Sequence, residues 1–174
     1  MSSKQSKRKT TAKEIAIFGM LGAAMYASKV IMEAIPNVHL ISLFVIAITI
    51  VYRKKALYPI YIFVFLAGLL NGFGIWWVPY LYIWTVPWAV TMLLPKNMNP
   101  KIAVIVYMVI CAAHGFLFGV LYAPFQALAF GLSFKGTLAW IASGLPFDAI
   151  HGVSNLFLGT LIVPLAKLLR KLSH

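Results

Sequence analysis

The sequence predicts an all-α integral membrane protein with six transmembrane helices and both termini in the cytoplasm. Three observations carry this reading. The 174 residues are 62% hydrophobic with a mean hydropathy of +0.91, and only 10% are charged, less than half the ~25% of an ordinary soluble domain. At 1.5 Å rise per residue a hydrocarbon core of ~30 Å takes about 20 residues, so the chain has room for at most about eight spans and holds six comfortably. Finally, the polar breaks between apolar runs alternate in charge, with the basic ones on one side.

Residues 1–13 carry Lys4, Lys7, Arg8, Lys9 and Lys13 without an apolar run and read as a solvated cationic tail; residues 14–172 form the membrane domain. The first span, about 15–35, is too long for the apolar region of a signal peptide and ends at Pro36-Asn37. A short second span covers about 39–52, the Arg53-Lys54-Lys55 turn follows, and a third covers about 56–71. Gly72-Phe73-Gly74 is a flexible break before the fourth span, about 76–94, in which Pro79 and Pro87 each remove a backbone donor and predict a kink. The turn at 95–100 leads to a fifth span at about 101–122. A connection at 124–136, with Gln126 and Lys135, leads to a sixth at about 138–168, with a helix restart at Pro146.

Six spans put both termini on one side, and the charges agree. Thirteen of the fifteen Lys and Arg lie in the tail, the 53–55 turn, Lys96 and Lys101, and Lys167, Arg170 and Lys171; Lys29 and Lys135 are the exceptions. The positive-inside rule therefore places that side in the cytoplasm. The same distribution argues against nucleic-acid binding, because the cations sit on four separate segments rather than one basic, aromatic-laced surface.

Several chemistries are missing. There is no G-x-x-x-x-G-K-[ST] phosphate loop, no His-Glu-x-x-His, no Cys-x-x-Cys and no Gly-x-Ser-x-Gly, and Cys111 is the only cysteine. No resident metal or cofactor is expected, nor an enzyme, and energy from ATP has to come through a partner.

The informative residues are polar groups in apolar surroundings, which are costly in lipid. In the sixth span Asp148, His151 and Asn155 occupy a wedge of about 60°, with Gly144, Gly152 and Gly159 near the same stripe. This is either one wall of an outward cavity, with a helix start at Ser143 to Pro146 aiming N–H groups into it, or a packed helix face. Residues 73–88 hold seven aromatics, four of the five Trp among them. Trp76, Trp77, Tyr80 and Trp84, with Asn71, suit a stacking rim for a ring-bearing ligand; a membrane-interface belt is the alternative. His114 in the fifth span is a candidate for the cavity floor or for a buried helix contact. Lys29, Glu33, Asn37, His39 and Gln126 are candidates for a gate or rim, with Lys29 and Glu33 spaced for an ion pair. Gly19, Ala23 and Ala27 form a small-xxx-small ladder suited to close helix approach, either inside the bundle or against a partner.

These features resemble the substrate-binding subunit, or S component, of an energy-coupling factor (ECF) vitamin importer. The resemblance covers about 12–172. It rests on six short spans, the Gly19, Ala23, Ala27 ladder, and the segments PNVHL (36–40), LLNGFGIWWVPYLY (69–82) and SGLPFDAIHGVSN (143–155), the last two similar to a group of small Firmicute S components. It implies a bacterial cytoplasmic-membrane protein that binds a vitamin in an outward cavity. The ladder would dock on a transmembrane coupling (T) subunit carrying two ATPases, and the whole subunit would topple to release substrate. The connection at 36–38 is too short for a long lid, which favours a wide mouth and a corrinoid such as cobalamin, with Asn71, Asp148 and Asn155 meeting its amides and His114 or His151 near its cobalt. The alternatives are a smaller B vitamin, such as pantothenate or a pyrimidine precursor, and a stand-alone proton-coupled carrier using Asp148 and His151.

Overall fold

The computed structural model describes residues 10–173, so the tail cations Lys4, Lys7, Arg8 and Lys9 lie outside the described residues. The described chain is all helical. The elements are α1 (Ala12–Met32), α2 (Ile41–Tyr52), α3 (Leu57–Asn71), α4 (Tyr80–Ile83), α5 (Thr85–Leu93), α6 (Pro100–Phe116), α7 (Phe118–Phe130), α8 (Phe134–Leu158) and α9 (Ile162–Ser173). Single 3-10 turns lie at Arg53–Ala56, Ile75–Trp77 and Gly159–Leu161.

Three helical stretches are long and apolar enough to cross a membrane: Ala12–Met32, Pro100–Phe130 and Phe134–Leu172, of 21, 31 and 39 residues. The elements at the second, third and fourth expected spans are shorter. α2 has 12 residues, about 18 Å, and the fourth is divided into α4 and α5. Large apolar side chains cover the outside, among them Ile31, Leu128, Phe134 and Phe157, each at least 70% exposed, as a lipid-facing surface requires.

α2 is the centre of the bundle. Its sequence, ISLFVIAITIVY, is apolar all round, and Val45, Ile46, Ala47 and Ile48 are wholly buried, the state expected of a helix with no polar face. α1, α5, α6, α8 and α9 surround it. α1 starts with a capping box, Thr11 and Glu14 each accepting the other's backbone N–H, and Glu14 also accepts from Lys55 at 2.8 Å. That ion pair, the Arg53 guanidinium on the Met92 carbonyl, and the packing of the 96–100 turn with residues 163–170 gather the described basic segments at one end.

The second half of the chain differs from expectation at two prolines. α7 continues through Pro124, and the connection shrinks to 131–133, where Gly131 takes a left-handed φ of 62° and Ser133 caps α8 by accepting from Gly136 N–H. The Gly and Ser signals mark the boundary because they satisfy helix-end groups, whereas Pro124 removes a single bond. Likewise α8 has no restart at Pro146; it runs on to Leu158 and breaks at Gly159–Leu161. α6 and α8 approach most closely where a Cβ on Gly115 would lie 2.8 Å from Gly152 backbone atoms, so any larger residue separates them.

Candidate functional site

Pro87 creates the first feature of the site. In a helix the Ile83 carbonyl would accept from residue 87, which here has no N–H. α4 ends at Ile83, and the His114 Nε2 takes up that carbonyl at 3.2 Å. A carbonyl only accepts, so His114 is protonated at Nε2 and its Nδ1 accepts from the Ser42 hydroxyl at 2.9 Å. Asn155 Nδ2 donates to the Cys111 carbonyl at 3.1 Å and, at 3.5 Å, to Ser42 Oγ. One bonded chain thus joins α8, α2, α6 and α4. His114, Ser42 and Asn155 are all buried.

Next to this chain the bonding stops. The His39 ring lies 4.1 Å from that of His151 and 5.7 Å from that of Trp84, centroid to centroid, and Phe118 stands 5.1 Å from His151. His39 Nδ1, His151 Nε2, Trp84 Nε1 and Asn155 Oδ1 are all buried and have no hydrogen-bond partner among the described residues. Four such atoms in neighbouring side chains are unusual, since buried polar groups are nearly always paired and each unpaired one costs roughly 1–3 kcal/mol. His39 and Trp84 also line a cavity of about 220 Å³ opening among Lys29, Glu33, Asn37 and Tyr80. Lys29 and Glu33 form an ion pair at its rim, and Asn37 turns the chain there in a left-handed conformation, φ 61°, which asparagine tolerates better than most residues.

The structure sorts the sequence-derived candidates. Lys29, Glu33, Asn37, His39, Tyr80 and Trp84 line this cavity together; His151 and His114 do not line it but pack on the His39 and Trp84 rings, at 4.1 and 5.5 Å between centroids, and Asn155 is bonded to Ser42 and Cys111 away from it. Trp76, Tyr80 and Trp84 form a ladder of edge-on contacts, 5.4 Å per step, leading from the surface inward. Trp77 does not join it: its Nε1 donates to the Val64 carbonyl at 2.7 Å. Asn71 is exposed and accepts from Tyr26 at 3.0 Å, tying α3 to α1. Gln126, half-buried on α7, does not line the cavity.

Asp148 is also turned elsewhere. Both carboxylate oxygens accept from Gly119 N–H, at 3.2 and 3.0 Å, so Asp148 caps α7 from a different helix, where the break at Leu117 leaves first-turn donors free. No hydrogen bond joins it to His151. α8 is continuous past Ser143 to Pro146, so no helix start points at the cavity from there. Trp140 stacks on Tyr122 at 6.1 Å, and Tyr122 in turn donates to the Trp76 carbonyl.

Sequence reasoning passed over Ser42, a small hydroxyl in a largely apolar helix, and Phe118. The spacing of Ile83 to Pro87 was the available signal that a carbonyl there needs an outside donor. Set against known proteins, the chain matches no family model, no curated protein and no solved structure.

Proposed function

We propose that the chain is the substrate-capture subunit of an ATP-driven importer of the ECF type, taking a small ring-bearing solute of the vitamin class at the cavity beside His39 and Trp84. The observation that carries this reading is the set of four unpaired buried polar atoms next to an aromatic-walled opening. Of these, His39 and Trp84 line the opening, and a ligand with a donor and an acceptor on a flat ring would satisfy their two atoms. About 220 Å³ is below the ~300–1,000 Å³ of pockets for drug-sized ligands. That favours a smaller B vitamin over a corrinoid, which would enter only if the 33–40 connection and the 72–84 segment parted.

In this reading the chain crosses a bacterial cytoplasmic membrane six times, through α1, α2, α3, the α4–α5 pair, α6–α7 and α8–α9, with both termini inside. The docking side is the α1 ladder. Ala23 and Ala27 are exposed and a Cβ on Gly19 would meet nothing within 4 Å, whereas Gly22, about 100° round the helix from Ala23, is pressed against Ile62 of α3. The ladder is therefore free to receive a coupling subunit, with two ATPases bound to that subunit. The proton-carrier reading has less support, because Asp148 is occupied by Gly119 and is not joined to His151.

Mass spectrometry of small molecules co-purifying with the protein tests the reading, followed by titration calorimetry with the compound found. A heteroaromatic solute that competes with no corrinoid is the expected result. A bound corrinoid would overturn the size argument, and the absence of any binding by a panel of vitamins would overturn the capture role.

A further inference from the structure

At the basic end a second cavity, of about 480 Å³, opens between the 95–100 turn, the start of α6 and α9. Its inner wall includes the buried residues Ala103, Tyr107 and Ala166, and its rim carries Lys96, Lys167 and Arg170. The chain has only three acidic residues, and none lines this space. Glu14 holds Lys55, Glu33 holds Lys29 and Asp148 holds the Gly119 amide. Lys96 and Lys167 have no hydrogen-bond or ion-pair partner among the described residues.

We infer that this cavity binds a phosphate oxyanion, and that its source is the headgroup of an anionic phospholipid. Lys96 and Lys167 call for an external anion, because the side-chain carboxylates of the described chain are engaged elsewhere. An apolar wall beneath a cationic rim matches a lipid, whose phosphate sits directly above its acyl chains, better than it matches a free anion. The location agrees: one stretch long enough to span a bilayer begins here at Pro100 and another ends here at Leu172, so the lysines lie at headgroup depth, where each cation contributes about a fivefold gain in affinity for an anionic surface. The inference does not depend on what the other cavity binds.

The test uses the full chain purified in uncharged detergent, with native mass spectrometry against phosphatidylglycerol, phosphatidylcholine and inorganic phosphate. Phosphatidylglycerol should be retained over phosphatidylcholine, with a preference that falls as salt rises. The Lys96→Gln/Lys167→Gln pair should weaken its retention roughly 25-fold, while Lys135→Gln, at the other end, leaves it unchanged. Equal retention of phosphatidylcholine, or undiminished retention by the double variant, would overturn the site. Displacement of the lipid by millimolar inorganic phosphate would overturn the lipid source and assign the site to a soluble phosphate. The salt dependence, read on the unmutated chain, decides the matter even if the double variant fails to fold.

Discussion

His114 and Pro87 form one structural unit although they are 27 positions apart in the sequence. The imidazole supplies the donor that the proline withholds from the Ile83 carbonyl. His114→Leu should therefore destabilise the protein by roughly 1–3 kcal/mol, the cost of an unpaired buried acceptor. Pro87→Ala in the same chain should recover part of that loss by restoring an amide four residues on from Ile83. Thermal unfolding of the two single variants and the double variant measures the coupling, and strictly additive losses would contradict the pairing. Trp84 makes the opposite case. Its indole N–H is buried without a partner, so Trp84→Phe removes an unsatisfied donor. We expect equal or higher melting temperature together with ligand affinity lower by roughly five- to 150-fold, as for one lost hydrogen bond. Loss of stability with unchanged affinity would place the indole in the packing rather than in the site.

At the scale of elements, α1 presents two faces, one packed on α3 and one open. The side bearing Gly22 contacts α3 so closely that an added Cβ would fall 2.4 Å from Ile62. The side bearing Gly19, Ala23 and Ala27 faces out of the bundle. Gly22→Leu should therefore prevent folding, whereas Ala23→Trp should leave a folded, ligand-binding subunit that no longer supports uptake with its partners. Uptake assays in cells, paired with calorimetry on the purified variants, separate the two effects. An Ala23→Trp protein that transports normally would show that α1 is not the docking face. The α6–α8 contact is equally demanding, since Gly115 and Gly152 meet backbone to backbone.

The whole molecule carries the topology and the energetics. Cys111 is buried, so single-cysteine variants give an uncluttered readout of sidedness. Asn97→Cys should react with an impermeant thiol reagent only when the cytoplasmic face is open, and Asn37→Cys from outside intact cells. Labelling of both from the same side would rule out an odd number of crossings between them, and with it the six-span arrangement. The chain without partners, reconstituted into vesicles, should bind solute without accumulating it, since it has no phosphate loop. Accumulation driven by a pH gradient would revive the proton carrier.

Much of this architecture was legible before folding. Hydropathy predicted apolar helices, and three helical stretches are long and apolar enough to cross a membrane. The breaks at Pro36, Arg53 to Lys55 and Pro95 to Pro100 proved accurate because they place several polar or helix-ending groups together. Pro124 and Pro146 misled, because a lone proline removes one hydrogen bond and tertiary packing tolerates the gap. The candidate residues were legible as costly polar groups in an apolar chain, but their partners were not. Asp148 shares a helical face with His151 and Asn155, yet the break at Leu117, on another helix, supplies the amide that claims it. Helical periodicity by itself determined which residues share a side of α8. Only the tertiary structure decided which neighbour each side chain meets, leaving His39, Trp84, His151 and Asn155 with unpaired atoms, the first two at an opening, because hydrogen bonds between helices depend on how distant helix ends and breaks are brought together in space.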